Sequence, residues 1–116
     1  VADRSGEIAR LYGMISKDVS NTKTIRDVII IDPEGIIRLI LTYPLNVGRN
    51  IAEIIRAVQA LQIADSENVS TPVNWVPGQP LILSAPQTYP ELEERMKYIE
   101  ENNNGINWYL SFREPK

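Results

Sequence analysis

The chain has 116 residues, 43% hydrophobic and 23% charged, with 12 basic against 15 acidic side chains and a net charge of -3. That balance, with no basic cluster, argues against nucleic acid as a partner, because duplex binding needs many phosphate contacts from Lys and Arg. Cysteine and histidine are both absent, so disulfides, thiolate nucleophiles, zinc sites and His-based catalytic relays are excluded for this chain alone.

In chain order, Asp3 caps a short helix whose apolar face is Ile8, Leu11, Tyr12 and Ile15, and residues 16–24 read as a polar loop. Val28-Ile29-Ile30-Ile31 is β-branched throughout and reads as a strand buried on both faces. Asp32-Pro33-Glu34-Gly35 fits a tight turn, and Ile36 to Tyr43 returns as a second antiparallel strand, stopped by Pro44. Asn46 or Asn50 can cap the next helix, with Asn50 and Glu53 at capping-box spacing. Ile51, Ile54, Ile55, Val58 and Leu61 fall on one face of that helix, which is expected to end near Ala64.

From Asp65 the texture changes to a proline-rich, irregular arm, in which Leu81-Ile82-Leu83 is a short strand at most. Thr88 and Glu91 open a helix with Leu92, Met96 and Ile99 on one face, and the Asn102–Gly105 run closes it. Trp108 to Phe112 reads as a last, aromatic strand. The Val28–Ile31 strand asks for neighbours that this chain does not evidently supply. The arm could fold back onto it, a second copy could pair with it, or the rest of the sheet could lie in other sequence. A first residue Val1 points to processing or a fragment. No apolar run reaches membrane-spanning length, so neither a membrane partner nor a secretory leader is expected, and the cytoplasm is the expected compartment.

Two arginines stand out. Arg26, beside Asp27 at the mouth of the first strand, is either a strand-end cation paired with a carboxylate or a cation aimed into a cleft to stabilise an anion. Arg49 sits at the start of a helix, where the macrodipole disfavours a cation, and Gly48 beside it allows close backbone approach. It is a solvated arginine or a functional one. Glu93, Glu94, Glu100 and Glu101 have the spacing of an outward helix face rather than of opposed hydrolytic carboxylates. Trp75, Trp108, Tyr109 and Phe112 suit packing or an interface better than a cofactor box, and neither a cofactor nor a metal is expected.

The order of these segments resembles the second half of the peroxiredoxin family (AhpC/TSA). The residues that carry the resemblance are Asp3-Arg4, Leu11-Tyr12-Gly13-Met14, the run from Thr24 to Gly35, Leu41-Thr42-Tyr43-Pro44 and Val47-Gly48-Arg49-Asn50. With Glu53-Ile54-Ile55-Arg56, Leu61-Gln62 and Thr71-Pro72-Val73-Asn74-Trp75, the match looks like the one-cysteine, peroxiredoxin-6-like subfamily and runs over nearly the whole chain.

The resemblance implies an α/β, thioredoxin-like fold present in its C-terminal portion only. Residues 1–64 would be the second half of the thioredoxin-like domain, and 65–116 an extended dimerisation arm. It implies a thiol-dependent peroxidase reducing hydrogen peroxide and alkyl hydroperoxides. The peroxidatic cysteine, in a Pro-x-x-x-Thr-x-x-Cys motif, would lie in the N-terminal half, and a thiol reductant would restore it. Arg26 matches the family's active-site arginine and Arg49 a second, supporting one. Gly105 and Ser111 stand near positions where some relatives carry resolving cysteines, which implies a one-cysteine mechanism. The implied partners are the Cys-bearing half of the same protein and a homodimer or higher oligomer formed through the second hairpin strand and the arm. A cysteine-free, non-enzymatic dimerisation module is the alternative from another class.

Overall fold

The computed structural model describes residues 2–15 and 25–114, and the expected loop at 16–24 lies outside them. The fold is mixed α/β, and the chain divides into two compact units, Val1–Ile51 and Ala52–Lys116.

The first unit holds helix α1 (Glu7–Leu11), strand β1 (Arg26–Ile31) and strand β2 (Ile37–Tyr43). Asp3 accepts the Ala9 N–H on Oδ2 at 2.8 Å and so satisfies one of the donors that a helix start leaves over, although Gly6 occupies the cap position itself. Strands β1 and β2 form the expected hairpin, with Arg26 opposite Tyr43 and Ile30 opposite Leu39. Its turn is held by the Gly35 N–H donating to the Asp32 carbonyl at 3.0 Å, and Gly35 has φ 85°, a conformation cheap only for glycine. The Asp32 side chain adds a bond from the Ile36 N–H at 2.8 Å.

Among the described residues this sheet has two strands, β1 and β2. Strand β1 is half-buried rather than buried on both faces, and Ile31, Ile36, Ile37 and Ile40 are exposed. A β-branched run fixes strand conformation, but its burial depends on what packs against it.

The second unit begins with helix α2 (Ile51–Glu67), one turn longer than the sequence suggests. Its inward side also differs from expectation. Ala57 is buried and Ala60 and Ile63 pack on the core, whereas Ile51 and Ile55 are exposed. The isoleucine stripe is the more hydrophobic face, yet the small residues allow close approach to the strands of this unit.

The arm is not irregular. Strands β3 (Val69–Ser70), β4 (Leu81–Leu83), β5 (Gly105–Asn107) and β6 (Leu110–Arg113) form an antiparallel sheet in the order β3-β4-β6-β5, with helix α3 (Tyr89–Asn102) between β4 and β5. The prolines lie between strands too short for period-2 patterning to declare. Trp108 and Tyr109 are the turn joining β5 to β6, rather than part of a strand. The core gathers Val69, Trp75 and Leu81, with Leu81 fully buried.

Helix α3 begins at its expected signal. Thr88 is the N-cap and accepts the Glu91 N–H at 3.5 Å, while the Glu91 carboxylate accepts the Gln87 N–H at 2.8 Å. That second bond, helped by Thr88 and Arg95, holds the Glu91 carboxyl below its ordinary 4.5. A carboxyl with a lowered folded-state pKa contributes stability above its unfolded value and loses it as pH falls through the folded one. Thermal melts should therefore show the native chain weakening as pH drops below about 4.5, with a shallower acid-side slope in Glu91→Gln. Thr88→Ala should cost about 0.5–1 kcal/mol, the low end for a cap because its bond is long. An unchanged slope in Glu91→Gln would remove this carboxylate from the account.

Candidate functional site

Arg26 opens β1, and its pairing with Tyr43 puts it at the hairpin end that leads into the Pro44–Asn50 segment. The Val47 N–H donates to the Pro44 carbonyl at 3.1 Å, turning the chain back toward β1. Arg26 Nη1 then donates to the Val47 carbonyl at 3.4 Å. Tyr43 Oη accepts the Asn50 N–H at 3.4 Å, which ties the segment to the end of β2 from its other side. Strand pairing and these two bonds thus bring Arg26, Tyr43 and residues 47–50, which include Gly48 and Arg49, to one hairpin end.

The environments of the two arginines differ. Arg26 is half-buried and uses one guanidinium nitrogen on Val47, while Arg49 is exposed. Among the described residues neither forms an ion pair, so the pairing of Arg26 with a neighbouring carboxylate does not occur. Alternation along the strand sends Asp27 to the opposite face. There its Oδ1 is buried without a hydrogen-bond partner among the described residues. This end therefore presents two guanidinium cations with donor N–H groups uncommitted. That arrangement can bind and stabilise an anion. It offers no nucleophile and no proton-transfer group.

Other residues fall where their bland readings put them. Glu93, Glu94, Glu100 and Glu101 are exposed along α3. Trp75 is 3% exposed and donates from Nε1 to the Gln79 carbonyl at 3.0 Å, a packed core residue with its polar edge satisfied. Trp108 and Tyr109 stack edge to face with centroids 5.6 Å apart at the exposed tip of the last hairpin. No cluster of potential metal ligands occurs among the described residues.

Sequence reasoning missed three arginines of the second unit. Arg56 grips Glu53 through Nε at 2.7 Å and Nη2 at 2.8 Å and donates from Nη1 to the Trp75 carbonyl at 3.1 Å. The i,i+3 spacing was the available signal. The Arg56 bond lowers the Glu53 pKa. Arg95 donates to Ser111 Oγ at 2.8 Å and to the Ser84 carbonyl at 3.1 Å, and Arg113 pairs with Glu67. These last two depend on which strands adjoin, which no local pattern announces.

Residues 60–98 match the family described as the C-terminal domain of 1-Cys peroxiredoxin. Peroxiredoxin 2 of Caldanaerobacter subterraneus subsp. tengcongensis is 49% identical over 113 residues, a match that covers 97% of this chain and 51% of the relative. A yeast mitochondrial 1-Cys peroxiredoxin has a similar structure, with a TM-score of 0.71 and 34% identity over 95% of this chain and 53% of its own. The peroxiredoxin 6 of Arenicola marina gives a TM-score of 0.65 and 33% identity over 80% of this chain and 44% of its own. The chain spans about half the length of the curated relatives it matches.

Proposed function

We propose, from a chain that belongs to the peroxiredoxin family, that it is the anion-stabilising and dimer-forming half of a cytoplasmic thiol peroxidase. In this reading a cysteine on an N-terminal half attacks hydrogen peroxide or an alkyl hydroperoxide. The thiolate sulfur takes one peroxide oxygen and becomes a sulfenic acid, water or an alcohol leaves, and a thiol reductant restores the cysteine. Arg26 stabilises the thiolate and orients the peroxide, and Arg49 supports the same pocket. The β2 edge and residues 65–116 supply the contact with a second copy.

The observation that carries this reading is the gathering of Arg26 and Arg49 at one hairpin end, with no carboxylate paired to either among the described residues. A site that lowers a thiol pKa needs positive charge left unneutralised. The chain has no cysteine, so alone it should consume no peroxide.

The test is reconstitution: mixing or fusing the chain with a cysteine-bearing N-terminal half should give peroxide consumption that neither part shows alone. If the chain instead forms a compact homodimer and the joined protein is inert toward peroxide, the non-enzymatic module is the correct reading.

A further inference from the structure

The structure singles out one peptide bond for covalent change. Asn104 is followed by Gly105, and no other asparagine in the chain precedes a glycine. Three features of the fold bear on that pair.

The first concerns the backbone nitrogen of Gly105. The Phe112 N–H donates to the Asn104 carbonyl at 2.7 Å, which makes the neighbouring Gly105–Ser111 pair one of the non-hydrogen-bonded kind. In such a pair the N–H points away from the partner strand, and side chains come closest. The second fact agrees with the geometry of the first: a Cβ at Gly105 would meet Ser111 Cα, Ser111 Cβ and the Leu110 carbonyl at 3.0 Å. Strand β5 is the edge of its sheet, so among the described residues no further strand receives the Gly105 N–H.

The third concerns the Asn104 side chain. Its Oδ1 is buried and has no hydrogen-bond partner among the described residues. Asn102, by contrast, is tethered by a 2.8 Å bond from Nδ2 to the Tyr98 carbonyl. Asn104 also lines an open cavity of about 940 Å³ together with Pro72, Tyr98, Phe112 and Arg113, which gives water a route to it.

We propose that Asn104-Gly105 is a self-modification site, at which the chain deamidates through a succinimide. The Gly105 backbone nitrogen gives its proton to solvent base and bonds to Asn104 Cγ. The Cγ–Nδ2 bond breaks, and Nδ2 takes a proton from water and leaves as ammonia. Water then opens the ring at either carbonyl, breaking one C–N bond and giving aspartate or isoaspartate, with no change of oxidation state. Gly105 favours the step because no side chain shields its nitrogen.

The isoaspartate product inserts one extra carbon into the main chain. It also turns the carbonyl that now receives the Phe112 N–H into part of a carboxylate. The β5–β6 pairing is then out of register at that point, and the cavity wall formed by Asn104 and Phe112 opens.

The experiment incubates the folded protein in warm, mildly alkaline buffer and maps peptides by mass spectrometry. The expected result is a gain of one mass unit confined to the peptide containing Asn104, as a mixture of aspartate and isoaspartate. The gain should be lost in Asn104→Gln, which must close a larger ring. Amide exchange at Phe112 should quicken in the isoaspartate fraction. Gly105→Ala is avoided because the added Cβ would strain the strand pair itself. Modification at Asn104 only after denaturation, or at Asn102 or Asn103 instead, overturns the proposal.

Discussion

Arg26→Ala is expected to slow peroxide reduction by about 10²–10³-fold in a protein that joins this chain to its cysteine-bearing half, the usual loss when one preorganised stabilising donor is removed. A guanidinium about 4 Å from a thiolate, at an effective dielectric near 20, contributes roughly 4 kcal/mol. Since one pKa unit is about 1.4 kcal/mol, that interaction alone can move a thiol from about 8.5 to below neutrality. Removing it should raise the pH at which the cysteine alkylates as well as lower kcat/KM. Arg26→Lys keeps the charge but loses the planar fork, and should fall between alanine and the native residue. Arg49 is exposed, so solvent screens it and Arg49→Ala should cost less than Arg26→Ala. An Arg26→Ala protein with native rate and native thiol titration would remove the catalytic assignment, whatever the family.

The second large effect is on folding. Leu81 is fully buried at the start of β4, beside Val69 and Trp75 and packed against Ala60 and Ile63 of α2. Truncating such a leucine to alanine costs about 2–5 kcal/mol, the transfer loss plus the cavity left behind. A core this small supplies about 3–5 kcal/mol in total. Leu81→Ala should therefore unfold the second unit rather than soften it, with loss of the buried Trp75 emission signal and of α3 helicity together. A midpoint in urea shifted by less than about 1 kcal/mol equivalent would show that the unit is held mainly by something other than this cluster.

The hairpin was legible because two local signals agreed: a β-branched run, and a Pro-x-Gly turn whose glycine does take a positive φ. Helix α3 was legible from its ends, Thr88 at the start and the αL residue Asn103 at the finish. The second sheet was not. Its strands are two to four residues long, and its key pairings, such as Leu81 with Arg113, join residues far apart in sequence. Period-2 reading has nothing to work on at that length. On α2 hydrophobicity pointed to the isoleucine face, while packing selected the alanines. For the site, Arg49 is marked in the sequence by breaking the dipole rule, and Arg26 by its place at the mouth of a strand and by its match to a family motif. That they share one hairpin end follows from the Arg26–Tyr43 register and the turn after Pro44, which composition does not state.

Among the described residues β1 and β2 have no other strand beside them, and four isoleucines of the hairpin and its turn lie open. Unpaired N–H and C=O rows beside greasy side chains are a template for further strands. Stored alone at high concentration, the polypeptide should grow light-scattering particles that bind amyloid dyes. Putting lysine at Ile37 and Ile40 should delay them, a practical matter for anyone handling it without its complement.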